Sequence, residues 1–370
     1  MKIVFICGCL EPGRDGVGDY TRLLATELIT RGHMATAISL HDGFVKEEVK
    51  ETQNGGLEVL RIDKEKSWSE KIMLSKVFVD AISPDFLSLQ FVPFSFNEKG
   101  LPFALGSHLK KLTGVSKWHI MFHELWIENK DIKGRIVAYC QKKIIAALGL
   151  ALEPVVVHTN LPVYKRRLAT VKIQALLLPV ISNIPALSAH ITKDLKSFTA
   201  AFFSQITYRS EVILFLEKLS NVCEENSLEF RVLIIGAGKD RVADLKSKIE
   251  NKNLVEKIVH TGFLSADELS LTISKCDLGI SPVPQHVLGK SGSTAAFLSH
   301  SIPVAAPYIK PGYEDEEIGL FNNDAVKAIV LNPNFEAIEV SKSFASKFAN
   351  YLTPVYLAEQ FLNDILPDKK

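Results

Sequence analysis

Short apolar, β-prone runs alternate with longer amphipathic stretches along this chain, and the series occurs twice. A strand covered on both faces by helices reads as a continuous apolar run, and parallel strands need helical crossovers, so this alternation limits the chain to doubly wound α/β architecture. The first series has runs at residues 3–6, 35–40, 57–62, 86–91, 118–122, 154–158 and 173–178, with helical stretches such as 20–31 and 136–148 between them. Near Leu178 the segment LLPVISNIP brings two prolines, an asparagine and a serine, which is linker chemistry. The second series has runs at 200–206, 230–235, 258–260, 278–281 and 303–306, with helices expected at 210–223, 240–250, 266–276 and 293–300. The tail, 339–366, reads as helix interrupted near Pro354. Two Rossmann-like domains are therefore expected: 1–182, joined by a terminal helix at about 347–370, and 183–346. Open parallel sheets bind ligands at the carboxyl ends of their strands, so two facing sheets would form one cleft for an extended ligand.

Composition excludes other classes. The 43 basic and 42 acidic residues nearly cancel, which argues against nucleic acid held by bulk charge but leaves room for a local basic patch. The five cysteines are scattered with no C-x-x-C pair, as reduced thiols in a cytosolic protein would be. MKIVFICGCL is too short and lightly flanked for a signal peptide and reads as a buried first strand. No apolar run reaches the roughly 20 residues of a membrane span; the longest candidate, 144–157, is broken by Glu153 and Pro154.

Five segments carry chemistry. The loop from Gly8 to Tyr20 follows the first run and ends at a helix start, where Gly16, Val17 and Gly18 let backbone approach a phosphate or sugar. Asp19 either caps that helix or bonds a sugar hydroxyl, and the loop also reads as a plain glycine-rich turn. Its spacing is not G-x-G-x-x-G, since Thr21 occupies the third position after Gly18, which disfavours a nicotinamide dehydrogenase. His123 and Glu124 stand past the 118–122 run: His123 to bond a donor sugar, Glu124 to orient it or act as a base, or both as ordinary structural and solvated residues. His119, inside the run, reads as structural. Arg209, at a helix start, is a diphosphate clamp or an exposed arginine. Gly236 and Gly238, with Thr261, Phe263 and Pro282 at other strand ends, would surround a nucleoside base.

The most informative segment is Lys290-Ser291-Gly292-Ser293-Thr294 at a helix amino terminus, where a cation, hydroxyls and free N–H groups suit a diphosphate. A serine-capped helix with an incidental lysine is the simpler reading. A P-loop is rejected because Pro284 occupies the place of the first glycine in G-x-x-x-x-G-K-[ST] and no Walker-B partner is near.

Taken together, these segments resemble the retaining GT-B glycosyltransferases of family 4 over nearly the whole chain. GVGDY followed by Leu24, Leu28 and Arg31-Gly32-His33 is similar to the family's opening loop and helix; IIGAGKD, VHTGFLSADEL, KCDLGISPVP and HSIPVAAP are similar to its carboxyl-terminal signature. The resemblance implies that Gly16–Gly18 meet donor phosphates or acceptor, that His123 meets the sugar, and that Arg209 and Lys290 supply the cations on the diphosphate. It also implies retention of configuration, with the donor β-phosphate assisting deprotonation of the acceptor. The chain departs from the family at its E-x7-E motif: the glutamate positions fall on Leu288 and Ala296. Lys290–Thr294 is expected to replace some of those contacts.

The function implied is a hexosyl-type transferase moving sugar from a UDP- or GDP-sugar to a glycan or lipid-linked acceptor, in polysaccharide or glycoconjugate synthesis. No cofactor or metal is expected, since no D-x-D stands in a metal-plausible loop, and Asp315 lies in an acidic run after Gly312 that reads as a solvated loop or, as the resemblance allows, a sugar-hydroxyl contact. Basic residues at Lys110-Lys111, Lys133, Arg135, Lys142-Lys143 and Lys165-Arg166-Arg167 are a solvated face or a peripheral contact with the anionic inner membrane surface. The alternatives are a non-catalytic sugar- or nucleotide-binding protein of this fold and a nucleotide-sugar epimerase.

Overall fold

The computed structural model describes residues 1–128, 131–187 and 194–366. The chain divides into two compact units, Met1–Leu178 with Leu357–Lys370, and Pro179–Tyr356. Residues 347–356, expected with the first domain, thus belong to the second.

The first unit is built on an eight-stranded sheet. In chain order its strands are β1 (Lys2–Cys7), β2 (Met34–Asp42), β3 (Val49–Gln53), β4 (Leu57–Asp63), β5 (Phe86–Phe91), β6 (Lys117–Phe122), β7 (Val156–Thr159) and β8 (Leu176–Leu177). Their spatial order is β3-β4-β2-β1-β5-β6-β7-β8. All neighbours are parallel except β3, which pairs antiparallel with β4. The apolar pattern missed β3 because VKETQ is a polar edge strand with alternating partial exposure. The run expected at 173–178 keeps only two strand residues. Its first residue closes a helix instead: Lys172 turns at φ 63° and Ile173 N–H bonds back to the Leu168 carbonyl at 3.1 Å.

Helix ends in this unit follow from capping residues. Asp15 caps the helix Gly16–Thr30 by accepting the Gly18 N–H at 2.6 Å, so the helix starts four residues before the expected 20 and Asp19 lies inside its first turn. Ser67 and Glu70 form a capping box on Trp68–Ile82, and Asp131 caps Ile132–Leu152. The terminal helix Pro354–Ile365 lays Phe361, fully buried, against Phe5, His119 and His158 of the sheet.

The second unit has a six-stranded, all-parallel sheet in the order β11-β10-β9-β12-β13-β14. The strands are β9 (Ser197–Phe203), β10 (Glu229–Ile235), β11 (Ile258–Gly262), β12 (Leu278–Ile280), β13 (Val304–Ala305) and β14 (Ile329–Val330). Two apolar clusters sandwich this sheet, one around Phe202, Phe215, Leu219 and Val232, the other around Ile273, Phe297, Val304 and Phe348. A Cβ on Gly279 would lie 2.5 Å from the Phe297 ring, so the glycine in β12 lets the following helix sit flat on the sheet. Among the described residues, no helix is long and apolar enough to cross a membrane.

Candidate functional site

Each sheet reverses its winding direction once, and ligands of open α/β sheets bind outside the strand ends at that reversal. In the second unit β9 leads to β10 and β11 on one side, while β12, β13 and β14 continue on the other, so the reversal lies between β9 and β12. A hollow of about 290 Å³ opens at this place. Phe203, Ser204 and Gln205 line it from the end of β9, Val283, Lys290, Ser291, Gly292 and Ser293 from the segment after β12, and Asn183 completes it.

The local chemistry of that segment is explicit. A 3₁₀ turn over Gln285–Lys290 runs into the helix Gly292–Ser299. Ser291 caps the helix, accepting the Thr294 N–H at 3.2 Å, and its Oγ lies 2.9 Å from Ser293 Oγ. One N–H is thereby satisfied, while the first-turn amides retain the partial positive charge of a helix amino terminus beside Lys290. A site of this kind suits a multiply charged anion.

Of the five residues expected together here, Lys290, Ser291, Gly292 and Ser293 line the hollow and Thr294 does not. Thr294 is buried with Oγ1 unpartnered. Arg209 is also outside the lining; its guanidinium stacks 4.0 Å over the ring of Tyr308. Leu288 and Ala296 are fully buried in the second apolar cluster. Asp315 is exposed.

The residues expected around a base lie at the ends of β10, β11 and β12. Gly236 turns at φ 74° and donates to the Gly262 carbonyl at 3.0 Å; Gly238 precedes the helix Lys239–Lys248. Thr261 Oγ1 donates to the Gly262 carbonyl at 2.9 Å, the Phe263 ring is 82% exposed and Pro282 is half-buried. His260, which the sequence reading did not single out, donates from Nε2 to the Ala237 carbonyl at 2.8 Å and so fixes the glycine turn.

In the first unit the reversal lies between β1 and β5. The loop after β1 is tied down by buried charge: Arg61 bonds Asp42 through Nε at 2.8 Å and Glu11 through Nη2 at 2.5 Å, while Arg22 donates to the Leu10 carbonyl at 2.9 Å. Asp19 is held by Arg22 and accepts the Gly13 N–H at 3.0 Å, so its carboxylate organises the loop. A Cβ on Gly18 would meet the Cys9 carbonyl oxygen at 2.5 Å, so this glycine is required by the loop's own packing, whereas Gly16 faces open space and Val17 is half-buried.

His123 sits one residue past β6. It is buried, stacks edge-on with Tyr20 at 4.9 Å, and shares a 2.9 Å hydrogen bond between Nε2 and Gln90 Oε1. Gln90 and its other partner Ser88 carry no signal in the sequence because they lie inside the apolar strand β5. Glu124 is half-buried next to it. Burial pushes the His123 imidazolium down to about 3, so the ring is neutral at physiological pH. A histidine with a depressed folded-state pKa gives stability that is full above its unfolded value and lost as pH falls toward the folded value. Between pH 6.5 and pH 4 the loss from His123 should reach about 3 kcal/mol. All three tryptophans (Trp68, Trp118, Trp126) lie in the first unit, so urea melts followed by tryptophan fluorescence report on it. His123→Gln should flatten the acid slope by that amount; an unchanged slope would mean that the imidazole charges freely in the folded state.

Among the described residues, no three His, Cys, Asp or Glu side chains are grouped as a metal-binding set.

The two sheets, their reversal points and the strand-end site define a class of fold, the GT-B fold of glycosyltransferases. Three solved structures carry the comparison. A glycosyltransferase from Rickettsia africae matches with a TM-score of 0.63 at 15% identity, covering 100% of this chain and 99% of that one. HepE from Anabaena, in complex with UDP, gives 0.62 at 12% identity, covering 99% of each chain. The lipopolysaccharide outer core galactosyltransferase WaaB in its apo form gives 0.61 at 11% identity, again covering 99% of each. A candidate UDP-N-acetylglucosamine 2-epimerase from Listeria monocytogenes shares the fold at a TM-score of 0.56 and 11% identity. No protein-family model and no curated protein sequence matches this chain.

Proposed function

We propose that this chain is a retaining glycosyltransferase that binds the diphosphate of a UDP- or GDP-sugar at Lys290–Ser293. The observation that carries the reading is the hollow at the β9/β12 reversal, where one lysine, three serines and a helix amino terminus converge. In glycosyl transfer, charge builds on the leaving diphosphate as its bond to the sugar breaks, and fixed N–H groups and a cation stabilise it without reorganising. Structural relatives with UDP and UDP-glucose bound support the donor class. Gly236, Gly238, Thr261, Phe263 and Pro282 receive the base, with the exposed Phe263 ring available for stacking. Arg209 is a weaker candidate for the diphosphate, since its guanidinium is engaged by Tyr308. Neutral His123 offers a ring nitrogen to a sugar hydroxyl. The acceptor belongs to the first unit, with Glu124 as its base or orienting group and Gly16 and Val17 beside it.

A screen of nucleotide sugars by thermal shift, followed by transfer and hydrolysis assays, tests this reading. A sugar nucleotide that stabilises the chain and is turned over supports it. Binding with neither transfer nor hydrolysis would make the chain a non-catalytic binding protein, and conversion of the donor to its epimer would make it an epimerase. Turnover should survive a chelator, because Lys290 and backbone N–H groups take the place of a metal on the diphosphate; loss of activity restored by Mg²⁺ would refute that.

A lipid-linked acceptor at an anionic membrane is supported by one helix. Ile132–Leu152 leaves Ile132, Ile136, Tyr139 and Leu150 exposed on one face, with Lys133, Arg135 and Lys143 also in solvent. A hollow of about 970 Å³ next to it is lined by Tyr139, Lys142, Lys143, Leu150, Val155 and Lys172. Sedimentation with phosphatidylglycerol vesicles should carry the protein down at low salt, and Ile136→Glu with Tyr139→Glu should release it. Equal binding to neutral vesicles, or none to either, would remove the membrane from the proposal.

A further inference from the structure

Behind His123, buried polar side chains form an unbroken chain through the apolar first sheet to the last helix. His123 Nε2 lies 2.9 Å from Gln90 Oε1, and Gln90 Nε2 lies 2.8 Å from Ser88 Oγ. Ser88 Oγ lies 2.8 Å from His119 Nδ1, and His119 Nε2 lies 2.8 Å from His158 Nδ1. His158 Nε2 then lies 2.9 Å from the carboxylate Oδ2 of Asp364, in the helix Pro354–Ile365. Ser88, Gln90, His119, His123 and His158 are all buried, while Asp364 is about a quarter exposed. Parallel pairing of β5 with β6 sets Ser88 opposite His119, and pairing of β6 with β7 sets Met121 opposite His158, so these side chains share one face of the sheet. Phe361 covers the two central imidazoles on that face.

Such a chain has two possible directions, and its end group selects one. An ionised carboxylate only accepts. His158 must then donate from Nε2, and with a single N–H on its ring Nδ1 accepts from His119 Nε2–H. His119 Nδ1 in turn accepts the Ser88 hydroxyl proton, Ser88 Oγ accepts from the Gln90 amide, and Gln90 Oε1 accepts from His123 Nε2–H. The opposite direction would need one more proton at this end of the chain, on Asp364 or as a second N–H on His158. Burial holds His119 well below the usual imidazole range, so a neutral ring with one N–H is the form the chain requires.

We propose that Asp364 is a remote positioning residue that fixes His123 in its Nε2–H tautomer, so that Nδ1 presents a lone pair to a ligand hydroxyl. The consequence for the sugar rests on the glycosyltransferase reading: His123 accepts from a sugar hydroxyl and does not donate to it. Discrimination of this kind separates a hydroxyl donor from an acceptor-only group at the same position.

The test uses the full chain labelled with ¹⁵N-histidine, with tautomers read from long-range ¹H–¹⁵N imidazole spectra, which need no substrate. In the native chain His119, His123 and His158 should all be Nε2–H. Asp364→Ala should turn all three into tautomer mixtures, and Asp364→Glu should restore the native pattern. Ser88→Ala should affect His123 while His119 and His158 keep Nε2–H; it also serves as the deciding variant if Asp364→Ala fails to fold. An Nδ1–H or mixed His123 in the native chain, or a His123 unmoved by Asp364→Ala or by Ser88→Ala, would overturn the proposal. With a sugar nucleotide that is turned over, Asp364→Ala should lower kcat/KM about tenfold and leave affinity for the free nucleoside diphosphate unchanged. Absence of turnover in the native chain would count against the glycosyltransferase reading alone, because the tautomer result stands without it.

Discussion

Replacing Lys290 with alanine is expected to weaken binding of a nucleoside diphosphate about 30-fold, the size of one charge-assisted hydrogen bond worth roughly 2 kcal/mol. The lysine lines the hollow at the β9/β12 reversal together with Ser291, Gly292 and Ser293. Helix-end amides contribute less than a full charge, and their effect falls off within the first turn, so they do not replace an ammonium group. Isothermal titration with UDP and GDP reads the effect directly. Lys290→Arg should recover part of it, because charge is kept and geometry changes. Arg209→Ala should cost less than Lys290→Ala, since the arginine stacks on Tyr308 and does not line the hollow. Unchanged affinity in Lys290→Ala would move the diphosphate elsewhere in the second unit and leave the hollow without its proposed ligand.

The second large effect concerns the missing glutamates. Putting glutamate at position 288 is expected to destabilise the second unit by about 4 kcal/mol or more, because a carboxylate would enter a dry core without a partner. Leu288 and Ala296 are both fully buried, packed in the cluster that holds Ile273, Phe297 and Val304. For a unit of this size each kcal/mol moves the midpoint by roughly 3 °C, so a fall of the order of 12 °C is expected. The unit contains no tryptophan, so calorimetry or far-ultraviolet circular dichroism should follow it. Ala296→Glu should behave similarly, with added overpacking. A Leu288→Glu chain that melts normally and binds UDP more tightly would show that this position reaches the ligand.

The departure at these two positions therefore has a packing explanation. Read in the sequence, Leu288 and Ala296 are places where donor contacts are lost. In the structure they are core residues that set the helix Gly292–Ser299 on the sheet, while the polar chemistry collects at Lys290–Ser293. Ser291 and Ser293 were legible in the sequence because a helix start with hydroxyls and glycine is a local signal. Thr294, one residue further into the turn, is directed to the interior and does not line the hollow, a matter of helix phase against the sheet.

Local patterns settled a great deal about this protein. The doubled strand–helix alternation determined two parallel-sheet units, since only such sheets bury continuous apolar runs on both faces. Glycine turns and helix starts marked strand-end loops in each. Tertiary structure alone decided which of those loops meet at a reversal point, because that depends on the spatial order of β9 and β12, not on their chain order. It alone decided that the polar edge strand β3 joins the sheet, that Asp15 and not Asp19 caps the first helix, and that residues 347–356 stay with the second unit. Above all it brought Asp364 to His158. The two are 206 positions apart, and no local pattern marks an aspartate near the chain's end as the terminus of a hydrogen-bond chain that begins at His123.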